Sequence, residues 1–251
     1  MELDKIYNED CLEGMKRLDD HSIDCVIIDP PYGVLNKRSA GARLDTPIAF
    51  EPMWEQINRV KKPAAPVLIF GQGKFTARLV MSNMKSWRYN LVWNKVRPVG
   101  FLNARRMPLR VHEDICVFYD KLPTYNPQKK KGTPNHSRGR NAGIRNNHRC
   151  YGKVNESEQV FTDEKFPTSV ISIPTTKTGN KHPTQKPLAL MRYLVRQYSN
   201  PGDVILDFCF GSGSTIVAAM QEHRHYVGFE LDKEYYDIAL KRIEEQNNKE
   251  V

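Results

Sequence analysis

The sequence predicts an α/β domain built on a mostly parallel, doubly wound sheet of seven strands. Seven short apolar runs alternate with stretches of helical apolar spacing, a Gly-Ser-Gly turn joins one run to a helix, and an Asp-Pro-Pro segment ends another. A chain of 251 residues suits one such core carrying an insertion.

Each element has its own pattern. Lys5–Asn8 opens as a strand, residues 12–18 follow with helical spacing, and Cys25–Ile28 is a fully apolar strand. Residues 53–60 and 75–84 space their apolar side chains as helices around a strand at 67–70, and 90–93 and 115–119 read as further strands. Leu188–Tyr198, 215–222 and 233–246 are helical, with strands at 204–208 and 226–230 between them. From 122 to 178 the pattern fails, and the segment fills with Lys129, Lys130, Lys131, Arg138, Arg140, Arg145 and Arg149 among Asn, Gly and Pro. This basic stretch suits either a solvated excursion or a binding insertion, and its place within a compact domain favours binding.

The net charge of +9 calls for a polyanionic partner, since clustered Lys and Arg release counterions condensed on phosphates. Hydrophobic residues at 39% exclude a wholly disordered chain. No apolar run approaches the roughly 20 residues that span a bilayer, and the N-terminus is charged, so a cytoplasmic protein without membrane contact is expected. The five cysteines are widely spaced with no C-x-x-C pair, which suggests buried thiols and neither disulfides nor zinc. His136, His148 and Cys150 match no common metal spacing, and no metal is expected.

The strand at 204–208 runs into Asp207-Phe208-Cys209-Phe210-Gly211-Ser212-Gly213-Ser214-Thr215 and then a helix. Gly211 and Gly213 allow close backbone approach, and the first N–H groups of the helix point at whatever lies there. Glu230 ends the next strand 17 positions after Gly213 (230 − 213), where a carboxylate suits ribose hydroxyls. The third glycine of the dinucleotide fingerprint is replaced by Ile216, so a nucleoside cofactor without a pyrophosphate fits better than NAD, with a plain tight loop as the other reading.

Asp29-Pro30-Pro31-Tyr32-Gly33 follows the apolar strand Cys25–Ile28, at the strand end where α/β sheets place their ligands. It is either an Asp-Pro turn or a catalytic segment. Asp29-Pro30-Pro31-Tyr32 resembles the catalytic motif of the amino-group DNA methyltransferases, which implies as target a base amino nitrogen, a weak nucleophile because its lone pair is delocalised into the ring. Acceptors on both amino protons, here the Asp29 carboxylate and the Pro30 carbonyl, would localise that pair, and the two prolines would hold them in place. Tyr32 can stack on a base.

These two segments resemble the motifs of the amino-group DNA methyltransferases, Asp-Pro-Pro-Tyr as the catalytic motif and Asp207 to Thr215 as the site of the methionine moiety. His182-Pro183-Thr184-Gln185-Lys186-Pro187 resembles the family segment that caps the cofactor, which gives Thr184 and Lys186 to its carboxylate; by itself it is a proline-bounded helix start. Asn8-Glu9-Asp10-Cys11 resembles the segment that contacts adenine, and Asp10 equally suits a helix N-cap. The cofactor set is thus Asp10, Cys11, Asp29, Thr184, Lys186, Asp207 to Thr215, Glu230 and Leu231. With the catalytic motif first, the order resembles the beta group. The resemblance implies a circularly permuted, Rossmann-like fold dependent on S-adenosyl-L-methionine. Residues 1–121 would form its catalytic region, 122–178 a target-recognition insertion and 179–251 its cofactor-binding region.

Residues 90–95 and the stretch Asn103 to Glu113 resemble segments that shape the target-base pocket, although Trp93 and Phe101 also suit core aromatics. Arg105 and Arg106, with the basic insertion, are the expected contacts to double-stranded DNA, and Arg110 is a further phosphate candidate. The resemblance further implies a homodimer and a cognate restriction endonuclease. Asp29, where cytosine-N4 enzymes often carry Ser, points to adenine N6; the alternatives are cytosine N4, a protein-glutamine methylase and a non-catalytic DNA-binding protein.

Overall fold

The computed structural model describes residues 2–34, 45–133, 162–175 and 185–248. Their elements are β1 (Lys5–Asn8), α1 (Cys11–Met15), β2 (Cys25–Ile28), α2 (Phe50–Val60), β3 (Val67–Gly71), α3 (Lys74–Ser82), β4 (Trp87–Val99) and β5 (Arg110–Phe118). There follow β6 (Lys130–Lys131), β7 (Glu164–Lys165), β8 (Val170–Ser172), α4 (Leu188–Tyr198), β9 (Val204–Asp207), α5 (Ser214–Gln221), β10 (His225–Glu230) and α6 (Lys233–Asn247).

One sheet of eight strands runs in the order β1-β10-β9-β2-β3-β5-β4-β8. Strand β5 is antiparallel to β3 and β4, and the other neighbouring pairs are parallel. The two-residue periodicity of the strands sorts their side chains into two cores. Cys25, Ile27, Leu68 and Phe70 pack with α4, α5 and α6, while Val26, Ile28, Val67 and Ile69 pack with α1, α2 and α3. Burial on both faces explains why β2 and β3 are continuously apolar.

The expected count of seven strands is corrected to eight. Val170–Ser172 falls in the aperiodic stretch and pairs in parallel with Val92, Trp93 and Asn94. Only Ile171 of its three residues is buried, and Trp93 Nε1 donates to the Ile173 carbonyl at 2.8 Å. Long-range pairing makes this strand, with too few residues to leave a periodicity. Phe101 is a second correction: it is 76% exposed on the β4–β5 connection. Trp93, by contrast, is a core residue at 2% exposure.

Two compact units are distinguished, Met1–Asn126 with Ser169–Val251, and Pro127–Thr168. In the smaller unit β6 and β7 pair antiparallel, Lys130 and Lys131 are exposed, and Lys129 meets Glu164 at 3.0 Å and lies over the Phe166 ring. Arg138, Arg140, Arg145, Arg149 and Thr184 lie outside the described residues. Among the described residues no helix is long and apolar enough to cross a membrane, and no cluster of three metal-ligating side chains is found.

Candidate active site

Strands β9 and β2 come from distant stretches of the chain and lie side by side at the sheet centre, with Cys25 opposite Ile205 and Val26 opposite Leu206. Their ends carry Asp207 and Asp29, so the glycine turn and the Asp-Pro-Pro-Tyr segment leave the sheet together. Such a crevice between parallel strand ends is where doubly wound sheets bind ligands.

In the glycine turn Gly211 and Gly213 have φ of 52° and 77°, in the left-handed region that side chains disfavour. A Cβ at Gly213 would lie 2.9 Å from the Ala239 Cβ, so glycine also lets α6 pack here. The N-cap of α5 is Gly213, which has no side chain to cap the helix. Arg242 of α6 donates to the Ser212 carbonyl and reaches the hydroxyls of Ser212 and Ser214, bracing the turn from behind. Phe208 and Phe210 point into the two cores, so they can serve a ligand only through their backbone.

Asp207 is 2% exposed, and burial pushes its carboxyl up to about 7 despite hydrogen bonds from Thr215 and the Cys209 N–H. The charges of Asp29 and Glu230 push it the same way. Glu230 is likewise raised by burial, and its two oxygens accept Gly211 N–H at 2.8 Å and Asp232 N–H at 2.9 Å. Asn8 secures the strand end with bonds to the Glu230 and Leu231 carbonyls, and the Leu231 side chain is exposed. Asp10 caps α1, accepting Leu12 N–H at 2.9 Å and Glu13 N–H at 3.2 Å. The thiols of Cys11 and Cys209 are hydrogen-bonded partners, and this bond with burial lifts Cys209 well above an ordinary thiol.

The catalytic segment is held on several sides. Tyr32 donates from its hydroxyl to Asp29 Oδ1 at 2.6 Å, and one ring face stacks on Phe75 at 4.9 Å. Asp45 accepts the backbone N–H groups of Tyr32 at 2.9 Å and Gly33 at 2.8 Å. Pro30 is buried. Burial and the Asp29 charge raise the Tyr32 phenol well above its ordinary value, so it stays a donor.

Lys186, expected at the cofactor carboxylate, is engaged by two acidic side chains of the chain itself. Its buried ammonium lies 2.5 Å from Asp29 Oδ2 and 3.2 Å from Glu113 Oε2, over the Phe70 ring at 4.9 Å. Lys95 donates to the other oxygen of Glu113. Burial pulls Lys186 down, and Asp29 and Glu113 more than offset it, leaving the amine above the usual lysine value. Burial pushes Glu113 up, and Lys186 with Lys95 holds it below the usual carboxylate value. Glu113 Oε2 faces the Lys186 ammonium at 3.2 Å as an ion pair.

Sequence reasoning missed the Glu113–Lys95 pair as a unit, and also Asp45 and Arg242. A signal for the pair exists: Lys95 continues the inward parity of Leu91 and Trp93, and Glu113 that of Ile115 and Val117, on strands that pair Trp93 with Glu113. Two charges on the core face of adjacent strands call for each other. Asp45 and Arg242 act across folds of the chain that no local pattern encodes. Arg105 and Arg106 lie exposed on the β4–β5 connection.

The adjacent ends of β9 and β2, one carrying the glycine turn and the other the acidic segment, define the ligand-binding edge of a Rossmann-like fold. The same fold is found in M1.HpyAVI solved in complex with SAM (TM-score 0.63, 23% identity, 95% of this chain and 98% of that one). It is found also in the cytosine-N4-specific PvuII DNA methyltransferase (TM-score 0.67, 15% identity, 97% and 91% covered). Residues 23–241 match the DNA methylase family of N6- and N4-directed enzymes, and the chain belongs to that family. The type II methyltransferase M.HinfI of Haemophilus influenzae is 27% identical over 275 aligned positions, covering 97% of this chain and 69% of that protein. The chain is thus an S-adenosylmethionine-dependent DNA amino-methyltransferase.

Proposed function

We propose that the chain methylates the N6 amino group of adenine in duplex DNA after turning the base out of the stack. The observation that carries this is Asp29-Pro30 at the end of β2, beside the glycine turn at the end of β9. The residues suit the cofactor: Asp207 is a buried acid whose charge is opposed by two further acids, Asp29 and Glu230, and it fits a ligand that brings positive charge. Glu230 offers carboxylate oxygens for a ribose, and Asp10 and Cys11 stand at the start of α1 for the adenine. S-adenosylmethionine supplies a methyl group on a sulfonium.

Asp29 and the Pro30 carbonyl would each accept one proton of the target amino group, localising the lone pair that attacks the methyl carbon. An ionised carboxylate accepts about four hydrogen bonds, and among the described residues Tyr32 and Lys186 donate one to each oxygen, so both donors can remain. They fix the carboxylate in advance, where positive charge grows on nitrogen. As the nitrogen–methyl bond forms, the sulfur–methyl bond of the donor would break to leave a neutral thioether, and the proton shed by the methylated amine would pass toward Asp29. The partly exposed Tyr32 ring would stack the flipped base, which would help offset a flipping cost of a few kcal/mol. Arg105, Arg106 and the basic residues between 129 and 149 neutralise phosphates.

Asp29 in the place where Ser often stands in cytosine enzymes supports adenine. Cytosine N4 is the second reading, supported by the high structural likeness to the cytosine-N4-specific PvuII enzyme. A nucleoside digest of DNA methylated by the purified protein decides: N6-methyladenine is expected, and N4-methylcytosine would transfer the same mechanism to the other base. A homodimer and a cognate endonuclease belong to the same reading; light scattering at micromolar concentration tests the first, and protection of methylated DNA from a co-encoded nuclease tests the second.

A further inference from the structure

The β4–β5 ribbon carries an apolar surface that the chemistry above does not use. Strand β4 runs in the same direction as β3, so it leaves the sheet at the edge that bears Asp29. Beyond the Trp93–Glu113 pair, at the floor of the site, it continues for six residues to Val99, a reach of about 20 Å at about 3.3 Å per residue. The register shifts between Asn94 and Val99, and Val96 at φ 66° with Gly100 at φ 87° turns the ribbon. At its tip Phe101 and Leu102 are 76% and 85% exposed, and Met107 and Leu109 are exposed behind them.

The charge around this tip selects its partner. Arg97, Arg105, Arg106 and Arg110 are all exposed, and no Asp or Glu occurs from Lys95 to His112. Apolar side chains on a stretch whose charged residues are all cationic suit a surface that is anionic outside and apolar within, and stacked DNA is such a surface. A two-stranded ribbon also fits the major groove, about 12 Å wide and 8.5 Å deep. Extruding a base leaves its neighbours unstacked, and an apolar side chain inserted between base steps recovers some of that contact.

We propose that Phe101 and Leu102 form a wedge that enters the duplex beside the target and fills the gap left by the flipped base, while the ribbon's arginines grip the flanking phosphates. This rests on the DNA-methylation reading above and adds the residues that make the base leave. Because the wedge and Glu113 share one ribbon, its insertion is registered to the pocket. Its task is opening the stack, so the wedge is dispensable when the target is already unpaired.

The test uses the full chain and a duplex containing the sequence it methylates, mapped beforehand on methylated plasmid DNA. Single-turnover methyl transfer is compared on the matched duplex and on one with the target base mispaired. For the F101A/L102A variant a loss of at least tenfold is expected on the matched duplex and less than threefold on the mispaired one, with cofactor affinity unchanged; Phe101→Leu should retain most activity. Both side chains are exposed, so the thermal midpoint should not move. Equal losses on the two duplexes, or no loss, would overturn the wedge. A variant that loses self-association of the parent along with activity on both duplexes would make the tip a protein interface instead. Failure of the parent chain to methylate any DNA would sink the underlying reading, a result separate from either.

Discussion

Replacing Lys186 by Met removes the cation that joins Asp29 to Glu113 while keeping a side chain of similar length. Lys186 and Glu113 have side chains only 9% and 11% exposed, so their charges are poorly solvated once separated. Breaking a buried ion pair by removing one partner costs about 3–5 kcal/mol. The low end, about 3 kcal/mol, applies here because Lys95 still pairs with Glu113 and the Asp29 side chain is 26% exposed. At about 2–4 °C per kcal/mol, the thermal midpoint should fall by about 6–12 °C. Methyl transfer should fall further than stability explains, because Asp29 loses the bond that fixes its second oxygen. The pH dependence gives a sharper signature. Glu113 is held below its ordinary 4.5 in the fold, so its contribution is present above that pH and is lost as pH falls through the folded value. Lys186 is held above its ordinary 10.5, so its contribution is present below that pH and is lost as pH rises through the folded value. The difference between parent and variant should therefore be flat from about pH 5.5 to 9.5 and shrink at both ends. Urea unfolding followed by tryptophan fluorescence across this range measures it. A difference below about 1 kcal/mol at neutral pH, or one that stays constant into both extremes, would refute the account of the cluster.

Three further outcomes are expected. Cofactor binding should release a proton near pH 6, because Asp207, raised to about 7, must ionise to meet a cationic ligand; calorimetry in buffers of different ionisation heat reads this, and the affinity should rise up to about tenfold per pH unit until pH 7. Binding without proton exchange would contradict it. Gly213→Ala should cost about 1–2 kcal/mol for the left-handed backbone alone, with more from the 2.9 Å approach to Ala239, and should weaken cofactor binding; an unchanged thermal midpoint would show that the turn is not constrained as described. If the four ribbon arginines each neutralise one phosphate, they alone give a salt slope of about −3.6, a loss near 150-fold between about 50 and 200 mM salt, and R105A/R106A should lower the slope by about 2. A slope unmoved by that double change would remove Arg105 and Arg106 from the DNA contact.

The elements of this fold that were legible in the sequence are those whose information is local. Cys25–Ile28 and Leu188–Tyr198 have the bounds that their apolar patterns suggest, because burial on both faces of a strand or one face of a helix leaves a repeat. The glycine turn was readable for the same reason: positive φ at Gly211 and Gly213 restricts the residue type at each place. Val170–Ser172 was hidden because a three-residue strand owes its existence to Val92, Trp93 and Asn94. Phe101 misled because an exposed aromatic at a ribbon tip looks, in sequence, like one in a core. Lys186 was placed near the chemistry, but its partners Asp29 and Glu113 lie 157 and 73 positions away in the chain (186 − 29 and 186 − 113), and only the sheet order brings them together.

The central claim is that Asp29 and Pro30 prepare an amino group of a DNA base for methylation. Transfer of labelled methyl from S-adenosylmethionine to duplex DNA, measured side by side for the parent chain and Asp29→Ala, tests it most directly. The parent should label the amino group of a base, and the variant should be slower by at least about 100- to 1000-fold, the cost of losing one preorganised hydrogen-bonding group, while still binding DNA. Labelling by the variant at the parent's rate would contradict the claim.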